Sequence, residues 1–428
     1  MEVLKNSHCH PSKRMEMSLI GLFLIFTTLN CFGQDASQRI RWLQEARFGM
    51  FIHWCVYSAE GRGEWIMYQE HIPFTEYKRI AEKFQPSSFE PEKWIELARE
   101  AGMKYIILTT RHHDGYCLFD SHVSDFTSVK VGPGKDLVAE FADACHKAGM
   151  KMGFYYSLQD WHFPGVLPQG YPKSEDVTRP LVKQAHDQIR ELLTNYGKVD
   201  ILWFDGMTPG DTNIWRSREL IRMARQLQPE ILINDRAGTG SDFLTPENVV
   251  TAYNKPWEAC YTMNRTWGYA PLDLNYKPVN ELIRLLTSCA SQRGNFLLNV
   301  SPDGEGRIPA VQIEMLKKIG AWLKLHGEAV YNAEPSPIVA PNLGFQSLVG
   351  DKVYLLIQRW PGTVLPFAWC GSKIKSARIL TTGLPLQIEQ KEDRVWLRGL
   401  PSSPPDPYMN VVELNFEGSP KASNPAYR

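Results

Sequence analysis

The chain has 428 residues, with 47 basic and 47 acidic side chains, so its formal net charge is zero. That balance argues against nucleic acid or an anionic membrane surface as the main partner. Hydrophobic residues make up 43% and charged residues 22%, the composition of a globular protein with a large core. The 13 Trp and 17 Tyr are first of all core material, although sugar-binding sites also use such rings as platforms.

The first element is a leader. An apolar run from Leu19 to Leu29 follows Lys13 and Arg14, and small residues come after it. This is the pattern of a secretory signal, and the run is too short to predict a membrane span. Cleavage near Gly33 would leave a mature chain that is secreted or periplasmic. A lipid-modified Cys31 is the alternative, but Thr28-Leu29-Asn30 matches a lipoprotein box poorly. Beyond the leader, Cys55, Cys117, Cys145, Cys260, Cys289 and Cys370 are scattered without a CxxC pair. Their spacing announces neither a disulfide framework nor a zinc site.

From there the chain alternates helix and strand. "FGMFIHW" (Phe48 to Trp54) reads as the first strand. "PEKWIELAREAGMKYIILTTRHH" and "GKDLVAEFADACHKAGMKMGFYYS" each read as an amphipathic helix, a glycine stop and a buried strand. Gly102 and Gly149 fall where a helix end needs positive φ. "VDILWFDG", "ILINDR" (Ile231 to Arg236) and "NFLLNVSP" (Asn295 to Pro302) continue the series, which makes six strands, with "VVTAY" as a candidate seventh. The pattern predicts an α/β fold, an irregular TIM (β/α)8-like barrel over residues 34–335. A doubly wound sheet is less well supported, because no GxGxxG follows any strand. After the Pro-rich "EPSPIVAPN" the runs become short and alternating, as in "KVYLLIQR" and "NVVELNF", which predicts a C-terminal antiparallel β-sandwich over residues 336–428.

Asp205-Gly206 alone is an ordinary turn pair. In a parallel barrel, however, catalytic groups gather at the C-terminal strand ends. There the sequence places His53-Trp54, then Arg111-His112-His113-Asp114, Tyr155-Tyr156-Ser157, Trp203 with Asp205, and Asn234-Asp235-Arg236. Five such ends together read as a site for a polyhydroxylated ligand. Adjacent histidines on a strand face opposite ways, so His112 and His113 are not expected to chelate one metal. No metal and no cofactor is expected, and at least one of the pair suits a satisfied core position. Glycoside hydrolysis uses two carboxylates. Asp205 supplies one, and the residues alone leave the other open among Asp242, Glu247 and Glu258.

These motifs resemble the α-L-fucosidases of glycoside hydrolase family 29. The resemblance runs from about Arg47 to Tyr331 and rests on "RFGMFIHW", "GEW", "TTRHHDGYCLFDS", "FYYSLQDW", "LWFDG", "INDR", "WEACYTMNRTWGY" and "GNFLLNVSPDGEG" together. It implies a retaining, exo-acting hydrolase of fucosylated glycans, with a β-sandwich after the barrel. By the resemblance Asp205 is the nucleophile. The acid/base is expected on the loop after "NDR", at Glu247, with Glu258 as the alternative. His53, Glu64, Trp65, His112, His113, Tyr156, Trp203 and Arg236 would line the fucose pocket. Cys55 stands where the family usually has glycine, and is expected either to narrow the pocket or to be absorbed in packing.

Overall fold

The computed structural model describes residues 37–164, 175–206 and 212–424. The leader and Cys31 lie outside the described residues. The catalytic region is a parallel sheet: β1 (Phe48–Ile52), β2 (Tyr105–Arg111), β3 (Lys151–Ser157), β4 (Ile201–Asp205), β5 (Leu232–Ile233), β6 (Glu258–Tyr261) and β7 (Asn295–Val300). Its order is β5-β4-β3-β2-β1-β7-β6. Helices Pro91–Glu100 and Leu137–Ala148 feed β2 and β3 as expected. Gly102 (φ 87°) and Gly149 (φ 62°) adopt the left-handed conformation that stops them. The Asp136 carboxylate caps the second helix by accepting from the Ala139 N–H at 2.8 Å.

The strands are apolar throughout because both faces are covered. Phe48, Met50, Ile52, Met152, Phe154 and Phe204 face the helices. Phe51, Ile107, Tyr155, Ile201, Trp203 and Leu297 fill the barrel interior. A helix over residues 37–46 closes the N-terminal mouth: Trp42 meets Tyr105 edge-on at 6.0 Å, and Asn295 Nδ2 donates to the Leu43 carbonyl at 2.7 Å. The opposite, C-terminal mouth is left for chemistry.

Two expected strands differ. "ILINDR" is extended only at Leu232–Ile233, and Asp235–Ala237 then turn as a short 3-10 helix. "VVTAY" is not a strand. The remaining gap between β5 and β6 is spanned by the segment Phe243 to Glu247, through isolated parallel bridges Asn234–Phe243, Leu244–Trp257 and Glu247–Cys260. Pro246 and Pro256 flank these contacts and have no N–H to donate, so a continuous ladder cannot form there. This irregular stave closes the barrel and ends at Glu247.

The C-terminal region is antiparallel. Its five-stranded sheet runs in the order Ile374–Ile379, Asn410–Phe416, Lys352–Ile357, Gly344–Val349, Glu334–Pro335, beside a three-stranded sheet of Val364–Phe367, Arg394–Arg398 and Gln387–Lys391. One face of the larger sheet (Tyr354, Leu356, Met409, Val411) joins the core around the barrel. The other (Val353, Leu355, Val412, Leu414) forms the sandwich core. Among the described residues, no helix is long and apolar enough to cross a membrane. The six cysteines are buried and unpaired.

Candidate active site

A pocket of about 250 Å³ opens at the C-terminal mouth, lined by His53, Trp65, His112, His113, Tyr155, Trp203, Asp205, Arg236 and Glu247, with Phe51, Gln159, Gly206, Cys260 and Trp267. Asp205 ends β4 on the inward side, in register with Ser157 of β3, as Trp203 is with Tyr155. Its Oδ1 accepts from Arg236 Nη1 at 2.9 Å and its Oδ2 from the Tyr155 hydroxyl at 2.8 Å. Burial alone would raise this carboxyl. The Arg236 charge, the polar His113 ring close by and the two hydrogen bonds outweigh it and hold Asp205 down at about 2. Asp205 is therefore an ionised carboxylate aimed into the pocket.

The "NDR" turn builds the electrostatic frame. Asn234 uses its side chain as a surrogate strand, accepting from Phe204 N–H at 2.8 Å and donating to the Phe204 carbonyl at 2.9 Å. Asp235 Oδ1 holds the closing stave by accepting from the Thr245 N–H (3.0 Å) and hydroxyl (2.6 Å). Arg236 lies 4.6 Å above the Trp203 ring, and its Nη2 donates to Glu247 Oε2 at 3.0 Å while Nη1 serves Asp205. One guanidinium thus joins both carboxylates. The Trp267 indole donates to the other oxygen of Glu247 at 3.2 Å.

The histidines correct an expectation. β2 ends at Arg111, so the alternation of a strand no longer governs His112 and His113. Both line the pocket, with ring centroids 4.2 Å apart. His113 Nε2 lies 3.7 Å from Asp205 Oδ2, and its Nδ1 meets the Ser157 hydroxyl at 2.6 Å. Burial keeps all three pocket histidines neutral: His53 is pushed down to about 3, His113 to about 4, and His112 well below its usual value. Among the described residues, no group of three His, Cys, Asp or Glu is placed to hold a metal ion.

Four expected residues lie elsewhere. Tyr156 faces outward on β3 with Phe154, and its hydroxyl donates to Gln188 Oε1 at 2.6 Å. Its neighbour Tyr155 takes the pocket position, because successive strand residues alternate. Glu258 begins β6, deep in the barrel, where it accepts from Tyr105 and, at 3.1 Å, from Trp203 Nε1. Burial raises it to about 7. It does not line the pocket, which leaves Glu247 as the second pocket carboxylate. Asp242 is engaged by Arg39 and Arg225. Glu64 is buried behind the wall, where it accepts from the Gly268 N–H at 2.7 Å, and burial raises it. Cys55 is absorbed in packing, its thiol 3.8 Å from the Tyr116 carbonyl. Trp267 sits within the "NRTWGY" motif but no spacing rule marked it. Phe51 follows from strand parity with His53.

A carboxylate pair on one arginine, at the ligand-binding mouth of a parallel barrel and walled by histidines and indoles, defines a glycoside hydrolase site. Comparisons with known proteins narrow the class. A sequence model of the family described as Alpha-L-fucosidase matches residues 30–328. Tissue alpha-L-fucosidase of Rattus norvegicus is 30% identical over 365 residues, 76% of this chain and 78% of its own. The structure is similar to alpha-L-fucosidase isoenzyme 1 from Paenibacillus thiaminolyticus (TM-score 0.83, 36% identity), covering 90% of this chain and 100% of that one. It is also similar to a fucosidase from Bacteroides thetaiotaomicron solved as a trapped covalent intermediate with 2-fluoro-fucosyl fluoride (TM-score 0.79, 25% identity, 90% and 96% covered). The chain belongs to the alpha-L-fucosidase family, glycoside hydrolase family 29.

Proposed function

We propose that the protein is an exported, exo-acting hydrolase that removes terminal α-L-fucosyl residues from glycans by retaining double displacement, with Asp205 as nucleophile and Glu247 as acid/base. The observation that carries this is the shared Arg236, which holds an ionised Asp205 and Glu247 side by side. Retaining pairs stand about 5 Å apart, whereas inverting pairs leave roughly 6.5–9.5 Å for a water. A pocket of about 250 Å³ has room for one sugar ring, which favours action at chain ends. Phe51 and Trp267, with ring centroids 5.9 Å apart, offer an apolar wall for the C6 methyl group. Export rests on the leader sequence.

In the first step Asp205 Oδ attacks the anomeric carbon as the glycosidic C–O bond breaks, and Glu247 gives its proton to the leaving oxygen. In the unliganded site Glu247 accepts from both Arg236 and Trp267. In the second step Glu247 takes a proton from water, and the hydroxide displaces Asp205. The trapped intermediate of the Bacteroides thetaiotaomicron relative supports the same course here. A fucose-binding protein without turnover is the alternative; the ionised nucleophile and the second carboxylate both favour catalysis.

Azide separates the roles, because it needs no general base. With an activated aryl α-L-fucoside, Asp205→Gly plus azide is expected to give the inverted β-fucosyl azide. Glu247→Ala plus azide is expected to give the α-fucosyl azide, formed from a glycosyl-enzyme. If Glu247→Ala retains wild-type turnover without azide, the acid/base assignment fails. If wild type binds fucose and hydrolyses neither the aryl fucoside nor fucosylated oligosaccharides, the binding reading replaces it.

A further inference from the structure

Asn299 lies on β7 in register with Phe51 of β1, and is buried inside the barrel. Its Nδ2 donates to the Trp267 carbonyl at 2.7 Å, and its Oδ1 lies 2.7 Å from His53 Nδ1. These two contacts fix more than position. A carbonyl oxygen can only accept, so the amide must point its NH2 at Trp267 and its oxygen at His53. That oxygen can likewise only accept, so the proton of the neutral His53 ring sits on Nδ1. Nε2 then carries a bare lone pair, on a residue that lines the pocket. His113 meets a hydroxyl rather than an amide: Ser157 Oγ lies 2.6 Å from its Nδ1 and donates its single proton to the Gln159 carbonyl at 3.1 Å, a weaker constraint because a hydroxyl can rotate.

We infer that Asn299 is a positioning residue that makes His53 a hydrogen-bond acceptor, so that the site requires a sugar hydroxyl to donate at that point, and that the same amide secures the Trp267 turn behind Glu247. This rests on the fucosidase reading above for the identity of the sugar. The tautomer does not. The link to Glu247 is short: Asn299 holds the Trp267 main chain, and the Trp267 indole donates to Glu247 Oε1. Glu64 holds the next residue of the same turn through Gly268 N–H. The acceptor histidine and the second carboxylate are therefore braced by one buried side chain.

The groups that face His53 are Asp205 on β4, His112 and His113 after β2, Tyr155 on β3 and Arg236 after β5. None of them hydrogen-bonds Nδ1, so among these groups residue 299 alone acts on that nitrogen; an exchange there also removes the donor to the Trp267 carbonyl, a loss that does not vary with pH. Asn299→Asp places a carboxylate against Nδ1–H, which stabilises the imidazolium and raises the His53 pKa. Once protonated, Nε2–H becomes a donor and the acceptor is lost.

The test is kcat/KM on an aryl α-L-fucoside from about pH 4 to about pH 9, for wild type, Asn299→Asp and Asn299→Ala, with folding checked by circular dichroism. Asn299→Asp is expected to move the acidic limb upward by about one pH unit or more, with activity falling as pH drops through it. Asn299→Ala is expected to lose about tenfold or more without that displacement. A uniform loss at every pH in Asn299→Asp contradicts the inference. Should Asn299→Asp fail to fold, long-range 1H–15N spectra of 15N-histidine-labelled wild type decide it, with His53→Gln as the assignment control. The expected state is protonated Nδ1 and bare Nε2 for His53, and a proton on Nε2 overturns the proposal. Those spectra remain decisive even if wild type hydrolyses no fucoside, an outcome that defeats the functional reading alone.

Discussion

At the scale of single residues, the site depends on which way neighbours on a strand face. Tyr155 and Tyr156 share a side-chain type and differ only in parity. Tyr155 donates to Asp205 and lines the pocket, while Tyr156 donates to Gln188 beneath the helix layer. Tyr155→Phe is expected to lower kcat/KM about tenfold or more by removing a hydrogen bond to a charged acceptor. Tyr156→Phe should leave kcat/KM near wild type and cost about 1 kcal/mol of stability through the unpaired Gln188. Michaelis constants and urea unfolding of the two variants check this, and the reverse pattern would place Tyr156 in the site. The parity was open to reading from the sequence: Trp203 and Asp205 set the inward phase of β4, and the "FYYS" strand beside it needed only its register. That register is a tertiary property, which one strand does not disclose. His112 and His113 show the same limit, since their shared aim depends on β2 ending at Arg111.

At the scale of elements, the long regular pieces were legible and the irregular one was not. The helices before β2 and β3 announce themselves by periodicity and a glycine stop, and the apolar strands by length. The stave from Phe243 to Glu247 has no such signal, because its prolines break the ladder and its partners are fixed by Asp235 and Arg236. For the same reason Glu258 was hard to separate from Glu247 by sequence. Only β6, four residues long, shows that Glu258 lies at the deep end of a strand. Its buried carboxyl ties β6 to β2 and β4 through Tyr105 and Trp203. Burial raises it from 4.5 to about 7, so the folded state holds this proton more tightly than the unfolded chain. Its contribution to stability is then fully present below about pH 4.5 and is lost as pH rises through about 7. The change is on the order of 3 kcal/mol. Glu258→Gln removes the titration. Relative to wild type, the variant should therefore gain stability by about that amount between about pH 5 and about pH 8 in urea unfolding. An offset equal at both pH values would contradict the buried, proton-linked role.

At the scale of the whole molecule, the fold separates support from chemistry. The N-terminal mouth is sealed by the helix over residues 37–46, and the open mouth carries Asp205, Glu247 and the arginine between them. The C-terminal sheets brace the barrel from outside: Trp322 Nε1 donates to the Met409 carbonyl, and the Ser347 hydroxyl to the Ala329 carbonyl. None of the described residues of that region lines the pocket. Family membership was legible because barrel strand ends are where a sequence must keep its chemistry, and the motifs sit there. Retaining displacement with Asp205 as the proposed nucleophile requires that Asp205 become covalently fucosylated. The most direct measurement is incubation of wild type with 2-fluoro-fucosyl fluoride, followed by intact-mass analysis and peptide mapping. A single fluorofucosyl group is expected on the peptide carrying Asp205, and none in Asp205→Ala. A label on Glu247 or another carboxylate would contradict that assignment.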